Sequence, residues 1–565
     1  MDLNPQIEKR VSAWLDGPYD DRTKQEIRTL LHSNPEALSD AFFKDLSFGT
    51  GGMRGIMGIG TNRINEYTVR AATQGLANYL LKLKKSDLSV FIGYDVRQRS
   101  REFAEEAARV LSANGISALV SKEICPTPLV SFACRHFHCS AGIIITASHN
   151  PPQYNGYKVY WNDGGQIVAP HDQGILEEVA QIQDPSQVKT GGLFEEVGSE
   201  LDAAYLAALR SLKPLGVATP LKILYTNLHG TGIRLIPNAL KEWGYTQISF
   251  VEKQRPLDGR FSFAPSPNPE EAKALEMGVE QLVKEKGDVL IATDPDADRI
   301  GLAVLHRGKP ALLTGNQIAC ICLSHLCRTR PVSSKEVAIK TIVTTELFKE
   351  IAEFHGALCL DVLTGFKYIG EQISQLENTS HRFLFGAEES YGFLIGTAVR
   401  DKDAAAAACL IADAAASAKK EYLTLIDRLH QIYSQFGVHR ETLKNIAFTD
   451  NQEGLEKMLS LMRRLREKPP NALGGQKIVR IEDYQSRQSL DLESGRKTPL
   501  SLPLSDVIRF WLADGSKLVV RPSGTEPKMK IYAETVEKSQ APLEESIARC
   551  DARLKTLLAA FEHEF

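Results

Sequence analysis

A serine follows directly after an apolar run, and the residues around it are polar. The β-branched run at residues 142–145 stops at a small polar loop, residues 146–152 (TASHNPP), which contains Ser148. Such a run is typical of a strand covered on both faces, and two consecutive prolines end its pairing and stiffen the turn. We therefore expect a buried strand that delivers Ser148 into a cleft as the candidate nucleophile. An ordinary strand-to-turn junction uses the same residue types, so the other loops must decide between these two interpretations.

A second loop carries three carboxylates at alternate positions. Residues 294–299 (DPDADR) follow the mainly apolar run 289–293, so the three side chains can converge on one point. Oxygen ligands select a hard cation such as Mg²⁺ over zinc. An EF-hand is excluded, because its loop needs Gly at the sixth and Glu at the twelfth position, where this chain has Arg299 and Leu305. An aspartyl-phosphate phosphotransferase and a plain acidic turn remain alternatives.

Three further loops offer groups that bind sugars or anions. Residues 386–392 (GAEESYG) place carboxylates and a hydroxyl between glycines, which suits vicinal sugar hydroxyls. Residues 521–528 (RPSGTEPK) combine Arg, Lys and two hydroxyls, which suits a phosphate group. They lack the nucleotide P-loop pattern, so a phosphomonoester fits better than ATP. Residues 48–55 set Arg54 among glycines, which suits an anion.

The elements that position these loops alternate between strand and helix. Three α/β units each end a core strand in one of the polar loops, and this recurrence indicates an internal repeat with mostly parallel sheets. Open α/β sheets bind ligands at the carboxyl ends of their strands. Residues 1–45 are predicted to be helical. Strands within 507–534 and a helix over 542–561 predict a C-terminal α+β domain, with residues 485–503 as a polar internal loop.

Composition limits the classes of protein to which this chain can belong. The chain has 565 residues, 43% hydrophobic and 24% charged, with a formal net charge of -3; this is the composition of a multidomain globular protein. Without a Lys/Arg block, nucleic-acid binding is not expected. No signal sequence is predicted, because a polar segment without an apolar h-region follows Met1. No membrane segment is predicted, since the small-apolar run 404–416 is too short to span a bilayer. Nine scattered cysteines indicate reduced thiols rather than a zinc site, so we expect a cytoplasmic protein.

Taken together, these loops resemble the four signature loops of the α-D-phosphohexomutases, in that family's order and over nearly the whole chain. Residues 48–55, 227–232 and 364–370, with the leading helices, are most similar to the phosphoglucomutase-2 type branch. The resemblance implies three similar α/β domains with mixed, mostly parallel sheets, plus a smaller C-terminal α+β domain around a central cleft. The expected domains are 1–210 (N-terminal extension and phosphoserine domain), 211–325 (metal-binding), 326–445 (sugar-binding) and 446–565 (C-terminal phosphate-binding).

The same resemblance implies roles for individual residues. Ser148 is carried as phosphoserine and, with Asp294, Asp296 and Asp298, holds one Mg²⁺. His149, Arg54 and Lys158 match positions near the transferring group, with Lys158 as candidate general acid/base. The implied substrate-binding residues are Arg299, Lys367, Glu388, Ser390, Arg521, Ser523, Gly524, Thr525 and Lys528.

The expected activity is interconversion of glucose 1-phosphate and glucose 6-phosphate through a hexose 1,6-bisphosphate, with glucose 1,6-bisphosphate as activator. A phosphopentomutase, a phosphomannomutase or a catalytically silent sugar-phosphate-binding protein are the alternatives. The dual phosphomannomutase pattern often ends its sugar loop in histidine, where this chain has Gly392. The expected partner is a small phosphosugar, with no obligate protein partner. An intact serine, three aspartates and a lysine favour an enzyme, since binding alone needs no nucleophile.

Overall fold

The structure is a computed structural model. It describes residues 4–46, 52–214, 219–449, 452–522, 528–539 and 541–563. The chain forms two compact units. The first consists of residues 1–315, 366–386 and 390–424, and the second of residues 316–365, 387–389 and 425–565.

Three helices open the chain, as predicted. They are α1 (Pro5–Asp16), α2 (Asp21–Ser33) and α3 (Pro35–Phe42). Asn4, Asp20 and Asn34 cap their N-termini with side-chain oxygens, which satisfies backbone N–H groups that have no partner within the helix. Their apolar faces meet in a small core around Trp14 and Phe42.

The first α/β region is built on a six-stranded sheet. Its elements are β1 (Gly52–Ile56), α4 (Glu66–Lys82), β2 (Ser89–Tyr94), α5 (Ser100–Ala113), β3 (Ser117–Ser121), α6 (Thr127–His136), β4 (Ala141–Ile145), β5 (Tyr154–Trp161), α7 (His171–Ala180), β6 (Glu195–Val197) and α8 (Ser199–Ser211). The strand order is β1-β5-β4-β2-β3-β6. Strands β4, β2, β3 and β6 run parallel, whereas β5 and β1 pair antiparallel. Because helices cover both faces, β4 is buried throughout.

The second α/β region repeats this plan. Its elements are β7 (Ile223–Thr226), α9 (Ile236–Glu242), β8 (Ile248–Phe250), α10 (Ala272–Glu285), β9 (Val289–Thr293), β10 (Ile300–His306) and β11 (Lys309–Leu313), in the strand order β11-β10-β9-β7-β8. Strands β9, β7 and β8 are parallel, and β10 and β11 form an antiparallel edge. The buried strand β9 leads directly into the aspartate loop.

The third group of elements contributes to both units. It comprises α11 (Gly315–Thr329), β12 (Glu336–Thr341), α12 (Glu346–Phe354), β13 (Leu358–Val362), α13 (Phe366–Leu376), β14 (Arg382–Glu388), β15 (Gly392–Leu394), α14 (Ala404–Lys420) and α15 (Leu425–Phe436). In the second unit, β12 and β13 pair in parallel. Helix α14 contains the alanine-rich run, and within the described part of the chain no helix is long and apolar enough to cross a membrane.

The C-terminal region is α+β, as predicted. It contains β16 (Val438–Ala447), α16 (Gln452–Glu467), β17 (Ala472–Leu473), β18 (Gln476–Asp483), β19 (Gln488–Asp491), β20 (Lys497–Pro499), β21 (Ile508–Leu512), β22 (Lys517–Pro522), β23 (Lys528–Glu537) and α17 (Leu543–Glu562). The sheet is antiparallel in the order β16-β23-β22-β21-β18-β19-β20. The loop prediction for residues 485–503 was wrong: β19 and β20 form an exposed polar hairpin there, because an edge hairpin needs few apolar residues.

Candidate active site

Ser148 lies in a tight loop that follows β4, and its side chain is buried. Its backbone has φ +52°, a left-handed conformation that costs a non-glycine residue free energy. The Ser148 N–H donates to Thr146 Oγ1 at 2.9 Å, and the Thr146 hydroxyl donates to Asp95 Oδ2 at 2.6 Å. These bonds hold the serine in a conformation that it would not adopt alone.

The guanidinium group of Arg97 binds the outer side of the same loop. Its N–H groups donate to four carbonyl oxygens, those of Ser148 (2.5 Å), Asn150 (2.5 Å), Pro151 (2.8 Å) and Tyr154 (3.0 Å). The Arg97 side chain is fully buried and pairs with Asp95 at 3.2 Å. Asp95 thus holds the loop twice, once through Thr146 and once through Arg97.

The three aspartates of the second motif converge beside the serine. Asp294, Asp296 and Asp298 are buried, and each places a carboxylate oxygen within 4.8 Å of the others. The Ser148 hydroxyl donates to Asp294 Oδ2 at 2.8 Å. The structure therefore brings together two motifs that lie 146 residues apart in the chain.

The aspartate group fits a hard cation. The buried Oδ1 atoms of Asp296 and Asp298 have no hydrogen-bond partner among the described residues, and an unpaired buried carboxylate oxygen is costly unless a cation binds it. Among the described residues, this is the one group of three or more His, Cys, Asp or Glu side chains that could share a metal ion. An all-oxygen set matches Mg²⁺ rather than zinc.

The pKa values of two of these carboxyl groups shift in opposite directions. Burial, together with the charges of Asp296 and Asp298, raises the pKa of Asp294 well above its ordinary value. Burial also acts to raise the pKa of Asp296, but Lys158 and hydrogen bonds from Asp294, Lys158 and Thr127 outweigh it, so that pKa lies below its ordinary value.

Two lysines flank the aspartates. Lys158 Nζ lies 2.9 Å from Asp296 Oδ2 and 3.9 Å from Asp298 Oδ2, and its side chain is 14% exposed. Lys402 Nζ lies 3.1 Å from Asp298 Oδ2. Lys158 is therefore next to the serine and aspartates, within reach of a solvent-accessible reactant.

His149 completes the cluster as a neutral side chain. Burial, followed by the positive charges of Arg299 and Arg54, lowers the pKa of His149 well below 6.5. Arg299 donates to His149 Nδ1 at 2.9 Å and pairs with Glu270 at 2.9 Å. Arg54, on the edge strand β1, donates to the Asn150 side chain at 3.0 Å. Arginine and neutral imidazole together form a site for an anion next to Ser148.

Comparison with known proteins identifies the family to which this chain belongs. The family models for phosphoglucomutase/phosphomannomutase match its α/β/α domain I at residues 45–186, domain II at 203–308, domain III at 314–433 and the C-terminal domain at 461–546. The chain belongs to this family. It is an enzyme of the phosphohexomutase class, and the sequence-based recognition is confirmed.

Individual relatives are consistent with this family assignment. The phosphoglucomutase of Staphylococcus haemolyticus is 37% identical over 499 residues, 87% of this chain and 90% of that protein, and a phosphoglucomutase of Staphylococcus aureus is 36% identical over 503 residues. The solved structure of a putative phosphomannomutase from Thermus thermophilus superposes with a TM-score of 0.68 at 20% identity, covering 92% of this chain and 99% of the other. Parafusin from Paramecium gives 0.66 at 18%, covering 92% and 95%. The two structures support the fold.

In the first unit of this phosphohexomutase, two predicted substrate-binding residues lie outside the serine and aspartate cluster. Lys367, near the start of α13, lines a small cavity with Trp161 and Glu371, where burial lowers its pKa. Ser390 lies in the turn before β15. That turn contacts the aspartate loop, since Gly392 forms a β-bridge with Arg299.

The other predicted substrate-binding residues belong to the second unit. Glu388 Oε1 accepts a hydrogen bond from the Gly365 backbone at 2.9 Å. Arg521 is the last residue but one of β22 and hydrogen-bonds Tyr532, while Lys528 begins β23. Three members of the set lie outside the described residues, namely Ser523, Gly524 and Thr525.

Sequence reasoning missed four side chains that shape the phosphohexomutase site: Asp95, Arg97, Thr127 and Lys402. Thr127, at the start of α6, donates its hydroxyl to Asp296 Oδ2 and its N–H to the Asp296 carbonyl, both at 2.8 Å. The signal for Asp95 and Arg97 was their position directly after the apolar strand β2, the same strand-end rule that found Ser148. Thr127 and Lys402 carry no such local signal.

Proposed function

We propose that this phosphohexomutase interconverts glucose 1-phosphate and glucose 6-phosphate by phosphoryl transfer through phospho-Ser148. The observation that supports this most directly is the Ser148 hydroxyl, held in a strained turn 2.8 Å from Asp294 and beside the other two aspartates. The left-handed backbone at Ser148 is fixed by Thr146 and Arg97, and strained positions of this kind cluster at active sites.

The first half-reaction moves the phosphoryl group to the sugar. The free hydroxyl of the bound sugar phosphate attacks phosphorus, the bond between phosphorus and Ser148 Oγ breaks, and a hexose 1,6-bisphosphate forms. Lys158 takes the proton of the attacking hydroxyl, because its Nζ lies 2.9 Å from Asp296, in the same aspartate cluster whose Asp294 contacts Ser148. Arg54, His149 and Arg299 would bind the transferring phosphoryl oxygens.

The second half-reaction returns the opposite phosphate to the enzyme. The bisphosphate turns over, Ser148 Oγ attacks the other phosphorus, and the sugar oxygen leaves with the proton from Lys158. The phosphate that is not reacting needs its own binding groups. We assign that role to Arg521, Ser523, Gly524, Thr525 and Lys528, whose types suit a phosphomonoester, and recognition of the sugar to Glu388 and Ser390, with Lys367.

Asp294, Asp296 and Asp298, with a phosphoryl oxygen on Ser148, would hold one Mg²⁺, which supplies positive charge to the transferring group when bound. The fit rests on the two buried oxygens that lack a partner among the described residues. Glucose 1,6-bisphosphate would load Ser148 and serve as activator.

Glucose is the preferred sugar in this proposal because the sequence relatives are named phosphoglucomutases. A phosphopentomutase or phosphomannomutase activity would use the same groups. We retain the four-domain division 1–210, 211–325, 326–445 and 446–565 and a cytoplasmic location as parts of the proposal.

Two measurements test it. A coupled assay with glucose 1-phosphate, mannose 1-phosphate and ribose 1-phosphate should give the highest kcat/KM for glucose 1-phosphate. A higher kcat/KM for ribose 1-phosphate would mean that the enzyme is a phosphopentomutase instead. Intact mass should show a phosphorylated fraction that Ser148→Ala removes, with kcat lowered by about 10³-fold or more. Near-normal turnover of that variant, or phosphate on an aspartate, would disprove the serine mechanism.

A further inference from the structure

A cavity of about 960 Å³ lies between the N-terminal helices and the first α/β region. Its walls come from the α1–α2 connection, from α4, and from α7 with the loop that follows, and they include none of residues 146–150 or 294–299. The domain I family match begins at residue 45, so the α1–α2 wall precedes it. Sites for small molecules typically measure about 300–1,000 Å³, so the cavity is large enough for one.

One wall of the cavity is aromatic. Trp14 and Tyr19 stack with ring centroids 4.2 Å apart, and Tyr67 meets them edge-on at 5.5 Å and 4.8 Å. The Tyr67 hydroxyl donates to Asp20, the N-cap of α2, which fixes the wall in place. Aromatic faces carry partial negative charge and attract cations.

The ionisable groups that line the cavity are mostly acidic. Three aspartates and one arginine give it a formal charge of -2, namely Asp20, Asp45, Asp184 and Arg70. The Arg70 guanidinium is already paired with Glu106 at 2.6 Å, and Asp45 with Arg10 at 3.6 Å, so the uncompensated negative charge of the lining comes from Asp20 and Asp184. An anionic phosphosugar is disfavoured by these charges, which separates this cavity from the substrate site.

The titration behaviour supports an anionic rim. Burial acts to raise the pKa of Asp20, but hydrogen bonds from Tyr67 and Thr23 outweigh it, and the pKa lies below its ordinary value. Burial raises the pKa of Tyr19, and the negative charge of Asp184 raises it further. At neutral pH the Asp20 carboxylate is therefore charged while the phenol of Tyr19 stays neutral.

We propose that this cavity is a second small-molecule site, which binds an organic cation with an aromatic or alkyl body. The apolar body would pack on Trp14 and on the aliphatic side chains of α7, while its ammonium group would lie between the aromatic faces and the carboxylates of Asp20 and Asp184. The proposal depends only on the lining of the cavity and is independent of the sugar that the enzyme converts.

The test uses benzyltrimethylammonium as the probe and isothermal titration calorimetry on the full-length enzyme. The wild-type protein should bind it, with affinity that falls as salt is added, and its neutral carbon isostere neopentylbenzene should bind at least about tenfold more weakly. Ala180→Trp, which fills the cavity from an exposed lining position on α7, should lower the affinity at least about tenfold. Ala203→Trp, at an exposed position on α8 outside the lining, is the matched control and should bind like the wild type.

Charge is tested by Asp184→Asn and Asp20→Asn, since asparagine keeps an N-cap oxygen at both positions. Their combination should remove most of the preference for the cation. If the wild-type protein does not bind the probe at concentrations up to about 10 mM, the cavity is not a site for it. If Ala180→Trp binds the probe as tightly as the wild type, the site lies elsewhere. If the double variant still prefers the cation over neopentylbenzene, the ligand class is wrong. Mutase turnover verifies folding, and if Ala180→Trp loses it, Thr190→Trp on the same lining decides instead.

Discussion

Replacing Arg97 with lysine should impair catalysis more than it impairs binding of the substrate. Lysine keeps the positive charge beside Asp95, but its single ammonium group cannot reach all four carbonyl oxygens that the guanidinium now binds. Arg97 contacts the loop through backbone oxygens only, so the substitution removes none of the predicted phosphate-binding side chains. The effect should therefore appear in kcat, with KM nearly unchanged.

The size of the effect follows from the bonds that are lost. A buried hydrogen bond to a charged group contributes about 1.5–3 kcal/mol, so the loss of two bonds lowers the free energy of unfolding by about 3–6 kcal/mol if nothing else adjusts. Released from two carbonyls, the loop can shift, and a displacement of about 1 Å at a reacting group costs on the order of 100-fold in rate. We expect kcat of Arg97→Lys to fall by about 100-fold.

The assay is coupled turnover of glucose 1-phosphate at a temperature where thermal unfolding shows the variant to be folded. Phosphorylation of Ser148 by glucose 1,6-bisphosphate should be slowed in parallel, which a purely structural defect would not cause. Arg101→Lys is the control, because Arg101 forms only surface ion pairs with Glu105 and Glu196, worth about 1 kcal/mol or less. A kcat for Arg97→Lys within about threefold of wild type at unchanged stability would refute the positioning role.

Three further outcomes are expected. Asp296→Asn should lose most activity and EDTA should abolish it until Mg²⁺ is restored; full activity in chelator would refute the metal assignment. Arg521→Ala should raise KM and release more hexose bisphosphate per turnover, and leakage at the wild-type level with an unchanged KM would return Arg521 to a structural role. His439 lies 2.8 Å from Glu534. Burial lowers the pKa of His439, but the hydrogen bond that it donates to Glu534 and the charges of nearby glutamates raise this pKa above 6.5 overall. Its contribution to stability is thus complete below pH 6.5 and lost as the pH rises through the higher folded-state pKa; chemical denaturation of wild type and His439→Gln should converge above that pKa, and a constant difference would contradict this.

The sequence could reveal the serine and aspartate loops because each keeps its chemistry within about six consecutive residues after an apolar strand. It could not reveal that the hydroxyl of Thr127 contacts Asp296, since those residues come from different domains and threonine is common at the start of a helix. The antiparallel strands β5 and β10 were missed for a related reason. Each follows its loop at once. β10 is as apolar as the parallel strand β9 before it, and β5 mixes polar and aromatic residues without a clean alternation, so periodicity alone did not identify either strand.

The internal repeat explains why the aspartate loop is held so firmly. In the second α/β region, the N–H of Leu228 donates to Thr226 Oγ1 at 3.1 Å, which is the same bond that Ser148 makes to Thr146, and Leu228 is also left-handed with φ +43°. The repeated loop thus has the shape of the nucleophile loop without its hydroxyl.

The second copy of the turn supports the aspartate loop instead. The backbone and hydroxyl of Thr231 both donate to the Pro295 carbonyl, at 2.8 Å and 2.9 Å. Gly230 lies so close that a Cβ atom there would come within 2.4 Å of Pro295 Cα, a contact that only glycine permits. One copy of the turn therefore presents Ser148, the proposed nucleophile, and the other supports the aspartate loop that faces it, so both copies contribute to the proposed phosphoryl-transfer site.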